Sequence, residues 1–365
     1  MPHEIRVLDL FSGAGGLTAG IHQASNRFHT VGAVEWDLTA AASYEATYGS
    51  DTVYAGDIKT WLDEEDVPDA DVIIGGPPCQ GFSSLGKQNV EDERNSLWFE
   101  YARTIRRATP KYFVVENVAE FKKSPQYLLF KAETSKGGML EDYDFESTVL
   151  NAADFGAAQS RRRTVLIGYR RDRGFPGMPS PTHSARPLDD NLQPHVTVAD
   201  QLGQVPRTPD RDYMFDANRT YFKNKSYAGA FQVRDLHWSR NYRDLSLKRF
   251  AVIPRGGNRR HLEPYPELMS PCWTKHKTGS GDVMGRMHWD RPSVTIRTEF
   301  FKPEKGRYIH PEEDRAITHY EAALLQGFGP EHRFVGSRTD IARQIGNAVP
   351  IPLGAAIGRL LAGAL

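Results

Sequence analysis

Cys79 stands in the run Ile74-Gly-Gly-Pro77-Pro-Cys79-Gln80-Gly-Phe-Ser83, directly after an apolar stretch that reads as a strand. A cysteine kept for packing normally sits inside an apolar helix or strand. This one follows two prolines and precedes Gly-Phe-Ser, so its thiol is offered on a shaped loop at a strand end, the position of a nucleophile. Neither a second cysteine nor a histidine lies near it in the chain, so a metal site is not expected there. The other cysteine, Cys272, stands in Pro-Cys-Trp-Thr and reads as structural. Two cysteines exclude a disulfide framework and a four-thiolate zinc site, and they suit a reducing cytoplasm.

A second set of residues could hold a ligand. Asp9-Leu-Phe11-Ser-Gly13-Ala-Gly15-Gly16-Leu17 is a glycine-rich turn between the apolar run IRVLDL (5 to 10) and a segment with helical spacing. Glycines at Gly13, Gly15 and Gly16 let backbone N–H groups approach a ligand, and Glu35, ending the next strand, could bind two ribose hydroxyls. Such a turn serves nicotinamide, flavin and S-adenosylmethionine alike, and also occurs without a ligand. Two details favour the sulfonium cofactor: the spacing is not G-x-G-x-x-G, and Trp36 offers a flat face for adenine. Asp57, in Ala-Gly-Asp57-Ile58, could accept a hydrogen bond from the adenine amino group.

These residues need a scaffold, and the chain alternates strand and helix patterns: TVGAVEW (30 to 36), residues 39 to 48, VIIGG (72 to 76), 96 to 107 and YFVVEN (112 to 117). That order predicts a doubly wound, mostly parallel α/β sheet covered on both faces. FESTVL (145 to 150) and TVLIGYR (164 to 170) are close enough to pair as an antiparallel addition at its edge. From about Arg171 prolines interrupt the pattern and a second, irregular region runs to about Trp289; a capping box at Thr318 and Glu321 then opens a helix, and Ile351 to Leu365 reads as another. The expected division is therefore 1–170, 171–289 and 290–365.

With 39% hydrophobic and 25% charged residues the chain has globular composition, and no apolar run is long enough to span a bilayer. Its net charge of zero conceals an asymmetry. Residues 1–158 carry 13 Lys/Arg against 25 Asp/Glu, whereas residues 159–260 carry 20 against 9. The basic span also holds Tyr213, Phe215, Tyr221, Phe222, Trp238 and Tyr242, a mixture that fits a polyanion such as nucleic acid, or else a solvated basic face balancing an acidic lobe.

GGPPCQGFS together with DLFSGAGG resembles the DNA cytosine-5 methyltransferases. The family's further motifs follow in order: Glu116-Asn-Val, Gln159-Ser-Arg161-Arg-Arg163, Arg291-Pro-Ser-Val-Thr-Ile-Arg-Thr298 and Gly346-Asn347-Ala-Val-Pro350. The resemblance implies the S-adenosylmethionine-dependent methyltransferase fold with a smaller target-recognition domain. It implies methyl transfer from S-adenosylmethionine to carbon 5 of a cytosine flipped out of a short duplex DNA sequence. Cys79 would attack carbon 6, Glu116 would hold ring nitrogen 3 and the amino group, Arg163 would hold the base carbonyl and Arg161 would orient the acid and the thiol loop. Phe11, Gly13, Gly15, Gly16, Leu17, Glu35, Trp36, Asp57, Ile58, Pro77 and Asn347 would face the cofactor. Gln80 and Ser83, with Arg255, Arg259 and Arg260 beside a Gly-Gly pair in the recognition region, are the candidates for DNA contact.

The short stretch before Asp9 leads one to expect no appended regulatory domains, and the resemblance implies a prokaryotic or viral modification enzyme of restriction-modification type, partnered by an endonuclease acting on the same site and located in the cytoplasm with the DNA. A tRNA-modifying relative, whose branch shares the Cys-aromatic-Thr sequence, and a catalytically silent DNA-binding relative remain the alternatives.

Overall fold

The computed structural model describes residues 3–78, 96–187, 191–214, 218–275 and 280–365. Cys79, Gln80, Ser83 and Phe215 lie outside the described residues.

The alternation read from the sequence is built as β1 (Ile5–Leu10), α1 (Gly16–Ala24), β2 (Phe28–Glu35), α2 (Leu38–Tyr48), β3 (Val53–Ala55), α3 (Ile58–Glu64), β4 (Val72–Gly75), α4 (Ser96–Ala108), β5 (Tyr112–Val118), α5 (Pro125–Glu133), β6 (Tyr143–Asn151) and β7 (Arg162–Arg170). These strands form one seven-stranded sheet in the order β3-β2-β1-β4-β5-β7-β6. β1 to β5 pair in parallel, and β7 enters antiparallel to both β5 and β6, as expected for the two late strands.

Continuous apolar strands result from burial on both faces. Ile5, Val7, Val72, Ile74, Tyr112, Val114, Val165 and Ile167 pack in one cluster, which also takes Leu17 and Ile21 of α1. Their chain neighbours Leu8, Leu10, Ile73, Phe113, Val115 and Leu166 point the other way, toward Trp61, Tyr101, Ile105 and Phe130.

Among the described residues six helices follow: α6 (Val198–Leu202), α7 (Asp244–Val252), α8 (Pro271–Lys275), α9 (His319–Gln326), α10 (Arg338–Asn347) and α11 (Ile351–Ala364). The last returns to the sheet, placing Leu353, Ile357 and Leu361 beside α1. Most buried apolar residues of the stretch from 171 to 289 belong to two clusters, while Phe222 packs with Ala33, Tyr44 and Val53 beside the sheet. Val198, Leu202, Phe231, Val233 and Leu236 pack with Leu325, Phe334 and Ile345, whereas Phe250, Ile253, Leu262, Leu268 and Met284 form a separate small core with Ile309. Cys272 is exposed at α8, so the structural role read for it is corrected: within Pro-Cys-Trp-Thr it is the next residue, Trp273, that packs against the core of the small lobe. Among the described residues no single helix is long and apolar enough to cross a membrane.

Candidate active site

The carboxyl ends of β1, β2, β4 and β5 carry the residues that the sequence singled out. After β1 the chain turns sharply: Phe11, Gly13 and Gly15 have φ of 57°, 56° and 85°. A side chain at Gly15 would run into the ring of Tyr48, whose hydroxyl donates to Gly15 O at 2.8 Å. Gly15 also caps α1 without any side-chain acceptor, and a side chain at Gly13 would meet nothing within 4 Å. The turn is therefore an open backbone cradle at an uncapped helix start.

Glu35 closes this cradle from β2. Its Oε2 accepts from the Gly13 N–H at 2.8 Å and its Oε1 from the Asp37 N–H at 2.7 Å. Burial holds its carboxyl above the ordinary range, against the pull of those two N–H groups. Trp36, next in the chain, is 70% exposed. Asp57 caps α3, its Oδ1 accepting from Lys59 N–H at 2.7 Å and Thr60 N–H at 3.2 Å. Leu17 and Ile58 are buried, so they line the corner through packing and backbone. Asn347 is exposed at the end of α10, one residue after Gly346, whose missing side chain leaves room for the backbone of Arg297 and Thr298.

The second corner is built on β5. Glu116 is 7% exposed and its Oε1 lies 2.8 Å from Nε of Arg163 on the adjacent β7. That contact is an ion pair with poor hydrogen-bond direction, so Oε1 has no hydrogen-bond donor among the described residues. The neighbouring Asn117 donates from Nδ2 to Pro77 O at 2.8 Å, tying the Pro-Pro segment to β5. Pro77 is buried. The sequence reading quoted Asn117 only as part of a motif; a buried amide anchoring a loop leaves no signal apart from its place beside the acid.

Among the described residues Arg161 makes its hydrogen bonds to two other segments, within electrostatic reach of Glu116. It is 3% exposed, and its Nη1 donates to Ile296 O and Gly346 O, both at 3.0 Å. Burial, with Arg163 nearby, pulls its guanidinium down to about 9. Arg163 rather than Arg161 meets the acid. Gln159 extends the same junction: Oε1 accepts from Ile296 N–H at 2.8 Å, and Nε2 donates to Gln326 Oε1 at 2.8 Å. Gln326 in turn donates to Ile345 O at 2.5 Å. Four stretches of chain, around Gln159, Ile296, Gln326 and Ile345, are thereby joined next to Arg161. Arg343 of α10, also missed, reaches Asp37 Oδ2 at 2.5 Å at the rim of the first corner.

Of the candidates for DNA contact, Gln80 and Ser83 lie outside the described residues and the three arginines lie on the small lobe. Arg255 is exposed and donates to Glu312 Oε1 at 2.6 Å; Arg259 and Arg260 open a short 3-10 turn ending at Leu262. The aromatic supply of the basic span is mostly spent on packing. Phe222 and Trp238 are buried, leaving Tyr213 and Tyr221 as its strongly exposed rings among the described residues.

The C-5 cytosine-specific DNA methylase family model matches residues 5–362. The chain is 33% identical to the Type II methyltransferase M1.HphI of Haemophilus parahaemolyticus, over 97% of this chain and 86% of that one. It is 33% identical to the Type II methyltransferase M.NgoFVII of Neisseria gonorrhoeae, over 94% and 83%. Among solved structures, its fold matches a proposed DNA modification methyltransferase encoded within an E. coli prophage, with a TM-score of 0.69, 24% identity and 98% of each chain covered. It also matches Dnmt2 methyltransferase of S. pombe, with a TM-score of 0.56, 17% identity, and 99% and 98% covered.

Proposed function

Because the chain belongs to the C-5 cytosine-specific DNA methylases and is a DNA cytosine-5 methyltransferase, we propose that it draws the methyl group from S-adenosylmethionine and methylates a cytosine turned out of duplex DNA, through a covalent adduct of Cys79. The open glycine turn, the Glu35 carboxylate and the exposed Trp36 fit that cofactor. Glu35 would exchange its Gly13 N–H for ribose hydroxyls, Trp36 would cover the adenine, and Asp57 would accept from the adenine amino group through the oxygen that does not cap α3. Bound there, S-adenosylmethionine supplies an electrophilic methyl group on a sulfonium.

Carbon 5 of cytosine is a poor nucleophile until the ring is altered. The Cys79 thiolate adds to carbon 6, and the displaced ring electrons make carbon 5 nucleophilic. Glu116, hydrogen-bonded to ring nitrogen 3 and the amino group, would stabilise the electron density that addition places on the ring, while Arg163 would hold the carbonyl oxygen. Carbon 5 takes the methyl, its proton leaves to a base, and the returning electron pair expels the thiolate. The observation that carries this reading is the Glu116–Arg163 pair beside Asn117, whose amide anchors Pro77 two residues before Cys79.

Duplex DNA containing 5-fluorocytosine at the target should trap the wild type covalently in the presence of cofactor, since fluorine cannot leave as the proton does. Cys79→Ser should bind DNA and form no adduct. A wild type that methylates DNA but is never trapped would sink the covalent route. A restriction endonuclease acting on the same site is the partner that Type II relatives suggest.

A further inference from the structure

Two exposed arginines from distant parts of the chain meet at one sheltered carboxylate. Nη1 of Arg207 lies 2.5 Å from Glu312 Oε2, and Nη2 of Arg255 lies 2.6 Å from Glu312 Oε1. The Glu312 side chain is 14% exposed, while the two arginine side chains are 63% and 73% exposed. The backbone around all three is held from below. Arg315, paired with both oxygens of buried Glu321 at 2.7 and 2.8 Å, also donates to Arg207 O at 2.7 Å. Arg307 donates to Gly256 O at 2.8 Å and Gly257 O at 3.0 Å, immediately after Arg255. Arg286 donates to Ile253 O at 3.0 Å and to Glu313 O at 2.7 Å, flanking Arg255 and Glu312 respectively. Nδ1 of His310 accepts from the N–H groups of Glu312 and Glu313.

A surface ion pair is worth little by itself, so a fixed backbone under both cations calls for another use. One carboxylate between two guanidinia leaves a surplus positive charge, and each guanidinium has five N–H donors, most of them directed away from the acid. That is the complement of a phosphodiester, which accepts from paired guanidinia in a fixed geometry. We propose that Arg207 and Arg255 grip one phosphate of the bound DNA together, with Glu312 as the positioning residue that holds them side by side. The proposal rests on the reading of this lobe as the DNA-facing one, and it adds Arg207 and Glu312 to that face.

The test compares wild type, Arg207→Ala, Arg255→Ala, the double variant and Glu312→Gln on a labelled duplex carrying the site mapped by bisulfite sequencing. Each single alanine variant should raise Kd about tenfold, and the double variant little further, because both residues serve one phosphate. The salt slope should fall by about 0.9 in each case. Glu312→Gln should raise KM for DNA, with the loss falling there rather than on kcat. Losses that multiply in the double variant would overturn the shared grip, and unchanged affinity in either alanine variant would overturn the contact. An unmoved KM in Glu312→Gln would overturn its positioning role. Should the wild type methylate DNA yet none of these variants bind differently, this proposal fails and the reading beneath it stands; a wild type that neither binds nor methylates duplex DNA removes both.

Discussion

Glu116 has a buried carboxylate with one oxygen that no donor satisfies among the described residues, and an arginine held against it. An oxygen held by an ion pair alone is left to accept from a donor on the substrate, and a hydrogen bond to a charged group is worth about 1.5–3 kcal/mol. Glu116→Gln is therefore expected to lower kcat by about 100-fold or more while leaving the Kd for S-adenosylmethionine, read by calorimetry, within about twofold. Asp9 precedes the glycine turn and accepts from Thr18 Oγ1 at 2.5 Å. Burial pushes its carboxyl from 3.8 up to about 7. The folded state thus binds this proton more tightly than the unfolded chain. Its stabilising contribution is complete below about pH 4 and is lost as pH rises toward 7, amounting to about 2–4 kcal/mol. Thermal melts should show wild-type stability declining across that interval relative to Asp9→Asn, and parallel pH profiles would contradict the assignment.

At the scale of elements, the two helices that cover one face of the sheet cross through glycine. A side chain at Gly20 of α1 would lie 2.7 Å from the Gly354 Cα of α11. Backbone cannot yield as a side-chain tip can, so Gly20→Ala should cost about 1–3 kcal/mol by overpacking, visible as a lower Tm with less effect on the far face. The helices themselves were readable. The Thr318–Glu321 capping box predicted the start of α9, and both halves of the box form. The late strand pair also formed where expected. β3, a strand of three residues, and the short helix α3 beside it carry no pattern in the sequence. Segments that short hold too few residues for a period to be seen, and it is packing on β2 that makes them regular.

Over the whole molecule, charge counting located a basic middle but could not say which cations face outward. Arg286, within the small lobe, is 4% exposed and donates to the carbonyls of Phe250, Ile253, His310 and Glu313 and to Asp314 Oδ1. Arg286→Met would take from the buried Ile253 and His310 carbonyls the donor they have here, while Phe250 O keeps the Ile253 N–H, a loss of about 3 kcal/mol or more. The expected outcome is a lobe open to protease and weakened DNA binding, with cofactor binding retained because the glycine turn belongs to the other core. Loss of both bindings together would show that the two cores fold as one unit.

The candidate chemistry could be proposed from the sequence because its signals are short motifs: an apolar strand followed by a proline pair and a thiol, and a glycine turn whose acid ends the next strand, 22 residues from Gly13. Partner choice was not local. That Arg163 meets Glu116 while Arg161 spends itself on the carbonyls of Ile296 and Gly346, and that Glu312 receives an arginine 57 residues away, follow from which chain segments the folded cores press together. A long cation fixes its partner only when burial removes water as the competing acceptor, and burial is a property of the packed molecule.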